Sequence, residues 1–286
     1  YYVINMKILL LLKRVPNYKE NIIIKNLSDK GFNISCKSIF EVINFKSYRF
    51  IFYENCFSCY GLEGNKCFEY KGIFQIIKVI LGFYQDMNDR LILLFNLFNG
   101  LDVLIFSSGP SSKLYEKTLV KKMEDKIIIC SVKYIIELLK GDDIEVDVSF
   151  FSEWGMIFEE LLTKYNVSNM LTLGAYLYTD KANLLDLNFR VGSICHKYVY
   201  LNIQKCQNFD ILKIRPNKIK IIDNKISFNC AHSMMEIVIP FFELCGCKDI
   251  YTYGWDGPDK KGMYTHSNNS TGIFTKEWNE FEFIDD

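Results

Sequence analysis

The chain has 286 residues, 49% of them hydrophobic and 15% aromatic, with 34 basic residues set against 34 acidic ones. That is enough apolar material for one large domain or two with a sizeable core. The balanced charge lacks the basic surplus of a nucleic-acid-binding face, and the longest early apolar run, Ile8–Leu12, is far too short to cross a bilayer.

In chain order, residues 7–12 read as a buried strand and 18–30 as a helix ending at Gly31. A strand is expected at 48–53 and a helix at 72–86, where Ile73, Ile76, Ile77 and Ile80 recur at helical spacing. A further apolar run, 91–97, precedes the turn signal Asn99-Gly100. The domain boundary is set there, between an N-terminal α/β segment (1–100) and a second domain (101–286). Strands follow at 103–107, 126–131, 146–151, 170–173, 198–203 and 249–253. Helices are expected between them at 113–123, with an apolar stripe of Leu114, Leu119 and Met123, and at 134–140, 155–165 and 233–244. Alternation with short links predicts an α/β fold, with a Rossmann-like, mainly parallel sheet flanked by helices.

The ten cysteines fall short of a disulfide scaffold and no secretory signal leads the chain, so a reducing cytoplasm is expected. Met6 follows Tyr1, and the first five residues read as an upstream remnant. Cys56, Cys59 and Cys67 have a spacing suited to zinc thiolates, but His196, His232 and His266 all lie far away in sequence. No metal and no cofactor is expected.

Ligands of open parallel sheets bind beyond the carboxyl ends of the strands. Those ends carry Ser107-Ser108-Gly109-Pro110-Ser111-Ser112, then Ser131, then Ser152-Glu153-Trp154, then Gly254-Trp255-Asp256-Gly257. The set is compact, hydrogen-bonding and nearly uncharged, which suits a ribose, a base edge and a phosphate. Taken alone, the first loop is an ordinary serine-capped βα turn; with the other ends it outlines a nucleotide site. Neither G-x-x-x-x-G-K-[ST] nor a post-strand G-x-G-x-x-G occurs, which disfavours nucleotide triphosphatases and dinucleotide dehydrogenases.

Over residues 102–273 the pattern resembles the bacterial sialyltransferases of the Campylobacter type and the related 6-hydroxymethylpterin diphosphokinase-like proteins. Phe106–Ser112 stands where the family has its G-N-G-P-S-L loop, and Cys130-Ser131 and Phe151-Ser152 stand at its next two strand ends. Serine replaces the family's asparagine at Ser108, Ser131 and Ser152. Ala231-His232-Ser233 resembles a Thr-Ser-Gly helix start near the donor. Leu244-Cys245-Gly246-Cys247-Lys248-Asp249-Ile250-Tyr251 resembles L-G-[FY]-K-E-I-Y, and Gly254-Trp255-Asp256 matches G-x-D. Tyr264 resembles a tyrosine that binds the leaving phosphate, and His266-Ser267-Asn268-Asn269 resembles the segment carrying a histidine base. Pro258 stands where a second phosphate-binding tyrosine is expected, and the stretch from Asp256 to His266 is shorter than in the family.

The resemblance implies a GT-A-like variant fold and a metal-independent, inverting sugar transfer from a CMP-activated donor to a glycan hydroxyl. His266, Tyr264 and Asp256 would be catalytic, and Ser108, Gly109, Pro110, Ser111, Ser131, Ser152, Ser233 and Gly254 would bind the nucleotide. Peripheral membrane association is compatible with such an acceptor. Two alternatives use the same pocket: a magnesium/ATP diphosphokinase using Glu153 and Asp256, and a sugar-binding protein without catalysis. His266 as an exposed loop residue, Asp256 as a turn residue, and Trp154 and Trp255 as core residues are the plain readings of the same positions.

Overall fold

A computed structural model describes residues 6–38, 47–54, 66–84, 87–107, 109–132, 135–151, 169–175, 199–205, 220–222, 225–230 and 238–254. They form an α/β fold of two sheets. The first holds β1 (Lys7–Leu12), β2 (Asn33–Ser38), β3 (Phe50–Tyr53) and β4 (Lys66–Glu69), all parallel, in the order β2-β1-β3-β4. The second holds β5 (Val103–Phe106), β6 (Ile128–Val132), β7 (Val148–Phe151), β8 (Leu171–Ala175), β9 (Val199–Lys205), β10 (Lys220–Ile222), β11 (Lys225–Cys230) and β12 (Ile250–Tyr253). Its order is β10-β11-β9-β8-β7-β6-β5-β12, and only the β10–β11 pair is antiparallel. The expected mainly parallel sheet is present; β2, β4, β10 and β11 had no counterpart in the sequence reading. Among the described residues no helix is long and apolar enough to cross a membrane.

β1 shows why the strands read as apolar runs: it is buried on both faces, as parallel strands are when helices cover them. Ile8, Leu10 and Leu12 point into the main core, whereas Leu9 and Leu11 pack with Ile51 on the other side. Helix α1 (Tyr18–Asp29) starts at Asn17, whose side chain accepts from the Glu20 N–H while the Glu20 carboxylate accepts from the Asn17 N–H. This capping box satisfies two orphan donors of the first turn. Helix α2 (Ile73–Leu81) is buried at seven of its nine positions and lies against β8. Helix α3 (Met87–Leu94) lies against β9 and β11.

The helices of the first hundred residues are therefore a layer shared by both sheets. One continuous core runs from Ile8, Phe50 and Phe52, through Ile23, Phe74 and Ile77, to Ile105, Cys130, Phe150 and Leu173. Polar ties cross the same junction. The Asn26 side chain donates to the Leu97 and Asn99 carbonyls, and Asn169 accepts the Gln75 N–H in the first turn of α2. The strongest tie is a buried ion pair: Lys19 Nζ lies 2.7 Å from Asp147 Oδ2, with side chains only 8% and 2% exposed. Asp147 also accepts the Ile129 N–H, and the Lys19 ammonium lies over the Phe74 ring.

Burial pushes the Asp147 carboxyl above its ordinary range, against the pull of Lys19 and the Ile129 N–H. Lys19→Met is expected to cost about 3–5 kcal/mol at pH 7, because it leaves a buried charge without a partner. A raised carboxyl contributes stability that is complete below its unfolded pKa and is lost as the pH rises through the folded value. The variant's deficit should therefore shrink in mildly acidic buffer. Urea unfolding of both proteins at pH 7 and pH 5 checks this, and a pH-independent deficit would contradict a charged Asp147.

Candidate functional site

Each sheet has a point where its strand order reverses, and such a crevice, outside the carboxyl ends, is where open α/β sheets bind ligands. In the first sheet it lies between β1 and β3, and the chain's own side chains fill it. Arg14 grips Glu20 through both oxygens at 2.7 and 2.8 Å, Tyr70 donates its hydroxyl to Oε1 at 2.7 Å, and Glu54 lies 3.5 Å from Arg14 Nε. An internal carboxylate thus occupies the anion-favouring end of α1. Burial raises the Glu20 carboxyl, but Arg14, Tyr70 and the Asn17 N–H together hold it below its ordinary value.

In the second sheet the reversal is at β5: the chain steps through β6, β7, β8 and β9 on one side and returns as β12 on the other. Register aligns Tyr253 with Phe106, Phe106 with Ser131, and Ser131 with Ser149. These side chains share the face turned away from the common core. Phe106 and Tyr253 stack at 5.4 Å, Tyr115 meets Phe106 edge-on at 5.0 Å, and the Tyr115 hydroxyl donates to Asp142.

Beyond these ends the β5 loop and the end of β12 are bonded into one corner. The Ser107 N–H donates to the Tyr253 carbonyl, the Gly109 N–H to the Gly254 carbonyl, and the Gly254 N–H to Ser111 Oγ, each at 2.8 Å. Ser112 is fully buried, and both its N–H and its hydroxyl donate to the Gly109 carbonyl, at 3.0 and 2.7 Å. Gly254 has φ +75°, and a Cβ there would stand 2.2 Å from the Ser107 carbonyl oxygen and 2.9 Å from Ser112 Cβ. Only glycine fits without backbone movement.

A second glycine in the late segment has an equally local reason. Gly246, at φ +81°, would bring a Cβ within 2.9 Å of Asn96 Oδ1. It sits where the 96–101 turn is bonded to the end of the late helix Ile239–Leu244 by Asn96 N–H to Leu244 O and Phe98 N–H to Cys245 O. The Gly-Cys-Lys-Asp run is therefore a docking joint leading into β12.

The structure brings together Gly109, Pro110, Ser111 and Gly254. Ser131 sits differently from its sequence assignment. β6 runs on to Val132, so Ser131 is an in-sheet residue with no exposure, and its hydroxyl donates to Ser149 Oγ at 2.8 Å. The helix expected over 113–123 is also corrected. A short 3-10 turn covers Pro110–Lys113 and α4 is Lys117–Met123, with Leu114 78% and Leu119 49% exposed and Val120 buried instead. The break moves the inward face onto a different residue. Ser108, Ser152, Ser233, Asp256, Tyr264 and His266 lie outside the described residues, as do Glu153, Trp154, Trp255, His196 and His232.

Ser112 stands in the expected strand-end loop but carries no assigned role there, and Ser149 has no place among the expected strand ends. Their signal, small hydroxyl residues in buried strand and turn positions, appears only once the partners are known. Cys67 lies in β4 while Cys56 and Cys59 lie outside, and among the described residues no cluster of three or more metal-ligating side chains occurs. Burial pushes the Cys130 and Cys245 thiols well above their usual range, so both behave as small apolar groups. No protein-family profile matches the chain, and no curated protein matches it.

Two substitutions test these corners. Gly254→Ala is expected to cost at least about 2 kcal/mol, from the left-handed backbone plus the clash. Gly100→Ala, at φ +90° with its nearest neighbour 4.0 Å away, should cost only the backbone part, about 1 kcal/mol. Equal losses in chemical denaturation would remove the close-approach argument. Glu20→Gln should lower stability at pH 7 by about 2 kcal/mol. A depressed carboxyl contributes above its unfolded pKa and loses that contribution as the pH falls through the folded value, so the gap to wild type should narrow below about pH 4.

Proposed function

We propose that the chain is a sialyltransferase-like glycosyltransferase that moves a sugar from a CMP-activated donor to a glycan hydroxyl. The observation that carries this reading is the corner at the β5 reversal. There the Gly-Pro-Ser loop and the start of Gly254-Trp255-Asp256, the two most motif-like parts of the sequence, meet at the carboxyl ends of adjacent parallel strands. The corner of Ser107, Gly109, Ser111, Ser112 and Gly254 contains no ionisable side chain, which disfavours a metal–triphosphate site there.

In this reading the loop residues seat the nucleotide. The acceptor oxygen attacks the anomeric carbon, the bond from that carbon to the CMP phosphate oxygen breaks, and the acceptor proton passes to His266. An imidazole titrates near neutral pH and suits this task. The Tyr264 phenol donates to the departing phosphate, and Asp256 holds the nucleotide or orients a neighbour. Inversion follows from a single displacement. We place the reaction in the cytoplasm, a setting that suits the buried thiols Cys130 and Cys245.

The test is thermal unfolding with a panel of nucleotides, followed by donor turnover. CMP at 100 times its dissociation constant should stabilise the fold by about 2.7 kcal/mol. Release of CMP from a CMP-sugar should persist in a chelator and be abolished by His266→Ala. Strict magnesium dependence with ATP would transfer the assignment to diphosphokinase chemistry. Binding of the sugar without turnover would make the protein a sugar-binding module.

A further inference from the structure

The sequence reading placed Ser111 and Gly254 in the binding set. The geometry points to a different task for Ser111: we infer that it is a positioning residue, whose hydroxyl fixes the direction in which the chain leaves β12 and so sets nucleotide affinity from behind the site. The affinity part rests on the nucleotide-sugar reading, whereas the clasp does not.

Gly254 is held on both sides of its α-carbon. Its N–H donates to Ser111 Oγ at 2.8 Å and its carbonyl accepts the Gly109 N–H at 2.8 Å. Both peptide planes are thereby oriented, at a residue whose φ of +75° already makes a sharp bend. The described residues of the partner loop are bonded in their turn. Ser112, fully buried, closes the Gly109 turn with its N–H and hydroxyl, and the Ser107 N–H is tied to Tyr253. Trp255 and Asp256 follow directly after this restrained residue. A small rotation at Gly254 would open the corner it forms with Gly109 and Ser111, and displacements of about 1 Å at a reacting site cost on the order of a hundredfold in rate.

Serine suits the position because a short hydroxyl reaches the Gly254 N–H from the first turn after Pro110. Alanine deletes the acceptor and threonine keeps it. Valine, which has the shape of threonine without the hydroxyl, separates bulk from bonding.

The experiment compares wild type with Ser111→Ala, Ser111→Thr and Ser111→Val in two readouts. The first is amide hydrogen exchange at Gly254, with the β5 and β6 amides as internal reference. The second is CMP affinity by calorimetry. Alanine and valine should speed Gly254 exchange about tenfold while leaving the reference amides unchanged, and should weaken CMP binding by about tenfold. Threonine should restore both to within about threefold of wild type. Should the alanine protein fail to fold, the threonine–valine pair makes the same comparison.

Unchanged Gly254 exchange in the hydroxyl-deleted variants would overturn the clasp. Faster exchange with unchanged CMP affinity would overturn the positioning role and leave a purely structural bond. A wild-type protein that binds no CMP would overturn the nucleotide reading and the affinity part with it, while the exchange data would still decide the clasp.

Discussion

The buried contact between Lys19 and Asp147 is the constraint around which the two sheets are organised. Neither charge has water to stabilise it, so each requires the other, and that requirement fixes the first turn of α1 against the start of β7. Asp147 answers the demand with more than its ammonium partner: it accepts the Ile129 N–H and exchanges backbone bonds with Ile129 and Leu171. Strands β6, β7 and β8 are thereby tied to the same point. Buried residues of α1, α2 and α3 join one apolar core that serves both sheets. The pair contributes little net stability by itself, but its geometry is unforgiving, and that makes it a device for register.

The same junction explains why the two crevices have different fates. The first sheet spends its strand-order reversal on the Arg14–Glu20–Tyr70 network, which seats α1 and therefore supports the joint with the second sheet. The second sheet leaves the β5 reversal to a pair of backbone segments that meet through glycine. Glycine, serine and proline do there what charge does in the first sheet: they bring main chains close enough to bond. That corner is closed by its own hydroxyl and amide bonds and stands at the carboxyl ends of adjacent parallel strands, and its position is the physical ground for reading it as a nucleotide-sugar site.

Much of the fold was legible from local pattern. The apolar runs of β1, β5, β6 and β7 and the helical stretch of α1 are local signals, and the structure has each element within a few residues of its expected place. β2 and β4 were not legible. Asn33–Ser38 and Lys66–Glu69 are short and half polar, and they become strands because parallel neighbours supply their hydrogen bonds. The Leu114–Leu119–Met123 stripe misled because a 3-10 turn and a bend interrupt the helical phase. Ser131 misled because the end of β6 is set by its pairing with β7, one residue beyond the last apolar-to-polar step.

The sequence by itself determined the α/β class, the main strand and helix positions and the small-residue character of the Gly109 loop, since these depend on propensities and periodicities within a few residues. Only the tertiary structure decided which segments meet. It returned β12 to the side of β5, set Ser111 under the Gly254 N–H and turned Ser131 inward to Ser149. It also buried Glu20 in the first crevice. Each of those outcomes depends on hydrogen-bond partners and excluded volume supplied by distant parts of the chain, and no local pattern encodes them.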